Sequence, residues 1–147
     1  MTAIRRAEAR WQGDLFSGSG VVSAATTGLF RELPVTWASR TEAPDGRTSP
    51  EELLAAAHAA CFSMALSNGL AKAGTPPERL DVAAEVTFAK LDGGWGVTRS
   101  ALTVRGRVPG ATPESFREAA EAAKDGCPIS RALKGNVELS VEATLEG

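Results

Sequence analysis

The feature that most constrains this chain is an alanine- and leucine-rich run between Ser49 and Gly74. Ser49 can cap the free amides of a helix, Pro50 suits its first position, and Glu52 completes a Ser-x-x-Glu capping box. Alanine and leucine fill the interior, where helix propensity is highest. Gly74, followed by Pro76 and Pro77, ends it. Leu53, Leu54, Ala57, Cys61, Met64, Ala65 and Leu66 spread around more than one face, so the helix needs cover on most sides. A chain of 147 residues makes one domain, read here as 1–147. One small domain rarely surrounds such a helix alone, and a partner subunit is expected. His58, Ser63, Ser67 and Asn68 interrupt the apolar stretch from Leu53 to Leu70, which reads as a buried helix and not a membrane span.

The remaining patterns supply strands and two further helices. Ala7, Ala9 and Trp11 alternate with Glu8 and Arg10, as in a half-buried strand ending at Gln12-Gly13-Asp14. Val21-Val22-Ser23 and Leu33 to Trp37 are short strand candidates, and Arg40 to Ser49 reads as loop. Val82, Ala84, Val86 and Phe88 alternate with polar or small residues up to a hairpin turn at Asp92-Gly93-Gly94. The return strand places Leu102, Val104 and Val108 on one face and Thr103, Arg105 and Arg107 on the other. Thr112 caps a helix beginning at Pro113, with Phe116, Ala119, Ala120 and Ala123 inward; Gly126 ends it. A short helix follows from Cys127-Pro128 to near Gly135, and Val137 to Leu145 alternate as a last strand. Three strands, a helix, two strands, two helices and a strand make an α+β fold.

A net charge of −2 gives no pull toward nucleic acid or an anionic membrane, and 43% hydrophobic with 23% charged residues is ordinary for a soluble protein. The start, Met1 to Arg6, lacks the apolar run of a signal peptide, so a cytoplasmic location is expected. There the chain's two cysteines, Cys61 and Cys127, are poor candidates for a structural disulfide. Both could be core filler.

Their surroundings suggest chemistry instead. Cys61 lies deep in the long helix and needs a nearby cation to become a thiolate. Cys127 sits before Pro128 at a capping position, which by location favours a thiolate. His58, three residues before Cys61, shares its side of the helix. A Cys–His dyad or a zinc ligand pair is conceivable, but a single histidine without an acidic cluster reads more simply as a core or interface residue.

The segment Ser49-Pro-Glu-Glu-Leu-Leu-Ala-Ala-Ala-His-Ala-Ala-Cys-Phe-Ser-Met-Ala-Leu66 resembles the signature helix of the OsmC/Ohr family of hydroperoxide reductases. Gly126-Cys-Pro-Ile-Ser-Arg-Ala-Leu133 resembles that family's second cysteine motif, and Ala9-Arg-Trp-Gln-Gly-Asp14 and the element order agree. The resemblance implies a β3-α-β2-α2-β subunit with a long central helix, in an intertwined homodimer of mixed sheets around buried helices. It makes Cys61 the peroxide-attacking thiol and Cys127 the resolving one, reversing the ranking from helix position. It also implies an arginine paired with a glutamate. Phe16-Ser17-Gly18-Ser19-Gly20 offers no arginine where the Ohr branch has it, whereas Ser39-Arg40-Thr41 does where the OsmC branch has it. Arg40 therefore takes the role, with Arg31 and Arg47 as rivals, and Glu51 is the glutamate.

Glu51 lies ten residues before Cys61, roughly 15 Å along one helix. Either the helix breaks between them, or Glu51 serves the Cys61 of another chain. The implied reaction is reduction of an organic hydroperoxide through a Cys61 sulfenic acid and a Cys61–Cys127 disulfide, in oxidative or osmotic stress defence. An external dithiol, of lipoyl type such as dihydrolipoamide, reopens the disulfide. No metal or organic cofactor is needed. Phe62, Met64 and the helix alanines are expected to line an apolar substrate pocket. A Cys61–His58 hydrolase and a non-catalytic stress or ligand-binding protein on the same fold are the alternatives.

Overall fold

The structure, a computed structural model, describes residues 1–147 and divides into two compact units, Met1–Leu53 and Leu54–Gly147. In the first unit β1 (Ala7–Gln12), β2 (Ser19–Ala24) and β3 (Leu33–Val35) form an antiparallel sheet in that order. The β1–β2 turn is held by Asp14, whose carboxylate accepts from the Ser17 amide (2.8 Å) and hydroxyl (2.6 Å). Gly13 there adopts φ +90°, a left-handed conformation open to glycine. The period-two pattern in β1 was expected to mark a half-buried strand. The strand forms, but all six of its residues are exposed.

A second departure follows β3. Trp37 does not extend the strand; it opens a short helix, α1 (Trp37–Thr41), in the stretch read as strand and loop. Thr36 caps it reciprocally with Ser39, each side chain accepting from the other's backbone amide. Five residues are too few to show a helical period, and Trp, Ser and Thr have middling propensity. This adds one helix to the anticipated order.

The long helix α2 (Pro50–Lys72) forms as expected. The Ser49 hydroxyl accepts from the Glu52 amide at 3.1 Å, but the box closes differently: Glu52 takes the Thr48 hydroxyl at 2.6 Å instead of reaching back to the Ser49 amide. Gly74 ends the helix with φ +88°. By length and composition alone α2 could cross a membrane. In the fold a single stripe is buried, His58, Phe62, Leu66 and Leu70, while the opposite side stays open and Met64 is 73% exposed.

In the second unit β4 (Arg79–Leu91), β5 (Gly94–Arg107) and β6 (Glu138–Leu145) form a mixed sheet with β5 central, antiparallel to β4 and parallel to β6. The parallel pairing requires a crossover, which α3 (Pro113–Gly126) and α4 (Pro128–Leu133) provide. Leu102, Val104 and Val108 from the sheet side meet Phe116, Ala120 and Ala123 of α3 and the α2 stripe in one core. Burying each large side chain contributes roughly 1.5–3 kcal/mol. Gly106 lies so close to Phe116 that a Cβ there would sit 2.5 Å from the ring. The alternation read along β5 and the inner face read along α3 both hold.

Candidate functional site

In the first unit the site-bearing geometry is the pair Arg40–Glu51. Ser39 brings them together: its hydroxyl donates to the Thr48 carbonyl at 2.8 Å, tying α1 to the residues that lead into α2. The Thr48 amide in turn donates to the Pro34 carbonyl at 2.9 Å. Arg40, in the last turn of α1, then reaches Glu51 in the first turn of α2. Its Nε lies 3.1 and 3.2 Å from the two carboxylate oxygens and its Nη2 2.8 Å from Oε1. Glu51 is buried while the guanidinium keeps a partly exposed face. Desolvated and held at two nitrogens, such a pair is directional, as an arginine presenting charge to a substrate needs to be.

Arg40 also lies 5.7 Å from the Trp37 ring centroid, which Phe16 meets edge-on at 5.8 Å. Trp11, Leu15, Val35, Trp37 and Arg40 line a cavity of about 470 Å³. This apolar pocket is not the anticipated one. Phe62, expected beside the thiol, is wholly buried in the core, and Met64 points outward. The rival arginines make other contacts: Arg47 pairs with Asp45, and Arg31 lies against Gly28.

In the second unit the two thiols adjoin. Cys61 is half-buried, Cys127 fully buried, and both are free. Burial pushes the Cys61 thiol above its usual range; the Ile129 amide, donating to the sulfur, opposes this, and the neighbouring Cys127 thiol adds to it. No cation of this unit is among the causes of the shift. Cys127 caps α4, its sulfur accepting from the Ser130 amide at 3.3 Å and lying 3.1 Å from the Ser130 hydroxyl.

His58 does not pair with Cys61. Its Nδ1 is 2.6 Å from Ser100 Oγ and its Nε2 is 2.8 Å from Ser130 Oγ, so both ring nitrogens are engaged by serines. The dyad considered from spacing therefore does not form, and burial holds the imidazole below its ordinary pKa. Nothing in the sequence linked Ser100 or Ser130 to His58: they stand 42 and 72 positions from it.

Helix α2 runs unbroken from Pro50 to Lys72. The break between Glu51 and Cys61, the first of the two options left by the spacing, is therefore absent.

Two sheets, one long central helix, and two adjoining thiols, one on that helix and one at a Cys-Pro turn, define a class of α+β two-cysteine protein. Comparison makes the class specific: the description "OsmC-like protein" matches residues 43–142. The chain belongs to the OsmC family. It is 41% identical over 142 residues to the protein named Peroxiredoxin OsmC of Escherichia coli (strain K12), covering 97% of this chain and 98% of that one. It is 30% identical over 95 residues to the Organic hydroperoxide resistance protein of Xanthomonas axonopodis pv. citri (strain 306), covering 64% and 65% of the two chains. The crystal structure of the organic hydroperoxide resistance protein OhrB of Bacillus subtilis superposes with a TM-score of 0.71 at 26% identity, covering 95% of this chain and 98% of that one.

Proposed function

We propose that this chain is a thiol-dependent peroxidase that reduces organic hydroperoxides, with Cys61 attacking, Cys127 resolving and Arg40 held by Glu51. The observation that carries the reading is the pairing of a half-buried thiol on the central helix with a second thiol beside it, in a family whose named relatives are a peroxiredoxin and hydroperoxide resistance proteins. The Cys61 thiolate attacks one peroxide oxygen; the O–O bond breaks, and the alkoxide takes a proton and leaves as an alcohol. Cys61 becomes a sulfenic acid. Cys127 displaces its hydroxyl as water and forms the disulfide, which an external dithiol of lipoyl type reduces by exchange.

The Cys61 thiol needs a positive charge, since burial pushes it the wrong way for a nucleophile at neutral pH. Arg40 supplies it, stabilising both the thiolate and the developing alkoxide, while Glu51 keeps the guanidinium in line. Because Glu51 and Cys61 are ten residues apart on one unbroken helix, the arginine that serves each Cys61 comes from a second copy of the chain, in an intertwined homodimer. The open apolar side of α2 supports that assembly. The cavity lined by Trp11, Leu15 and Trp37 beside Arg40 takes the alkyl group of the peroxide, which favours organic hydroperoxides over hydrogen peroxide.

All 147 residues act as one functional domain in this reading, with no metal or organic cofactor. The reaction belongs in the cytoplasm, where dithiols are kept reduced, and involves neither a nucleic acid nor a membrane. The test is steady-state reduction of cumene hydroperoxide and hydrogen peroxide with a panel of dithiols including dihydrolipoamide. Turnover of the organic peroxide well above hydrogen peroxide is expected; no turnover with any dithiol would end the proposal.

A further inference from the structure

The peroxidase cycle above leaves one buried cluster unused. His58, Ser130 and Cys127 form a continuous hydrogen-bonded chain: His58 Nε2 to Ser130 Oγ at 2.8 Å, Ser130 Oγ to Cys127 Sγ at 3.1 Å. Ser100 Oγ closes the far side of the ring, 2.6 Å from Nδ1. The four side chains come from three different elements and from the turn before α4, and each is at most 1% exposed. Bulk water therefore has no direct path to the Cys127 proton, although a resolving thiol has to lose it.

We infer that His58 accepts the Cys127 proton through the Ser130 hydroxyl during disulfide formation. This rests on the reading of Cys127 as the resolving thiol. The network has two fully satisfied orientations, and they correspond to the two protonation states of the sulfur. With a thiol, S–H donates to Ser130 Oγ, the serine O–H donates to Nε2, and the imidazole carries its proton on Nδ1, facing Ser100. With a thiolate, the imidazolium donates from Nε2 to Ser130, and the serine hydroxyl and amide both donate to the sulfur. Moving one proton at each hydrogen bond interconverts them with no atom left unpaired, the arrangement a buried relay needs.

A purely structural histidine would be satisfied by the two serines and has no need of a sulfur at the end of the chain. No charged side chain hydrogen-bonds His58, Ser100 or Ser130, and the network runs from the ring to Cys127, beside which the Cys61 thiol lies. Burial keeps the ring uncharged and so leaves Nε2 with a free lone pair.

The step balances. The Cys127 proton passes to Ser130 as the serine proton passes to Nε2. The thiolate attacks the sulfenic sulfur of Cys61, the S–S bond forms, and the S–O bond breaks. The departing hydroxide gains one proton and leaves as water, and the imidazolium gives up the one it took, so a thiol and a sulfenic acid become a disulfide and one water. The Cys127 sulfur is oxidised, the Cys61 sulfur is reduced, and the imidazole ends neutral.

The chain's single histidine makes the test direct, because one imidazole supplies all the ring signals. In nitrogen-15 spectra of the reduced full-length protein at neutral pH, Nδ1 should carry the proton and Nε2 should be bare. A reduced protein with the proton on Nε2 would overturn the inference, since that nitrogen could then accept nothing. In stopped-flow single turnovers with cumene hydroperoxide, Ser130→Ala and His58→Asn should lower the ratio of disulfide-formation rate to sulfenic-acid-formation rate by about 100-fold. Ser130→Thr, which keeps the hydroxyl, should restore most of it. An unchanged ratio in Ser130→Ala overturns the relay alone. A wild-type protein that consumes peroxide without ever forming a Cys61–Cys127 disulfide overturns the resolving role of Cys127, and the relay with it.

Discussion

Arg40 grips Glu51 with two nitrogens, Nε between the carboxylate oxygens at 3.1 and 3.2 Å and Nη2 at 2.8 Å from Oε1. The carboxylate is buried and the guanidinium is not, so the pair turns a positive face outward from a fixed base. On the proposed mechanism that face meets a partner's Cys61. Arg40→Met should raise the pKa of Cys61 in the assembled protein and lower kcat/KM for organic hydroperoxides by about 100-fold or more; pH-dependent alkylation and initial rates measure both. Glu51→Gln should cost less, because the guanidinium stays charged but loses its orientation. An unchanged Cys61 pKa in Arg40→Met would move the role to Arg31 or Arg47.

The two cysteines should fail differently. Cys61→Ser removes the nucleophile and should reduce turnover of tert-butyl hydroperoxide to background. Cys127→Ser should consume one equivalent of peroxide per chain and stop, leaving a sulfenic acid that a dimedone-type trap labels and mass spectrometry locates at Cys61. Full multiple turnover by Cys61→Ser would remove the basis of the mechanism.

Light scattering coupled to size exclusion should give twice the mass of one chain for the wild-type protein. Met64, 73% exposed on the apolar open side of α2, is the point to break it. Met64→Lys should weaken association, and peroxidase activity should fall in step with the dimer fraction on dilution. A wild-type monomer with full activity would end the shared-site proposal.

His58 also sets a pH dependence of stability. Its folded pKa lies below the unfolded value of about 6.5. The unfolded chain therefore binds the proton first, and stability falls as pH drops from about 6.5 toward the folded pKa, then levels off. One such group gives a slope of at most about 1.4 kcal/mol per pH unit. Urea denaturation between pH 7 and about 5 should show a component of this sign that His58→Asn lacks, measured against its own stability at pH 7.

A packing test lies far from the chemistry. Gly106→Ala would place a methyl 2.5 Å from the Phe116 ring and 3.2 Å from Leu80. Overpacking of this kind costs about 1–3 kcal/mol. The urea midpoint should fall accordingly, with Cys61 alkylation rates in the folded baseline unaffected.

Much of the fold was legible because it is local. The boundaries of α2, the hairpin at Asp92, the cap at Thr112 and the alternation of β5 each follow from a few neighbouring residues, and all appear where expected. What misled was the reading of pattern as burial. Alternation in β1 says which residues share a face, not whether anything covers it, and all six are exposed. Phe62 belongs to the stripe that α2 turns into the core, a choice among faces that an all-round apolar helix does not announce.

By itself the sequence determined the element order apart from α1, the expectation that the two cysteines carry the chemistry, and Arg40 with Glu51 as partners, the last two through motifs that resemble a family. The tertiary structure decided what those residues touch. It placed Ser39 against Thr48 so that Arg40 meets Glu51, carried α2 without a break from Pro50 to Lys72, and turned both nitrogens of His58 toward serines. The physical reason is range. Capping, propensity and periodicity act over a few residues, whereas these hydrogen bonds join positions up to 72 apart and exist only after the chain has packed.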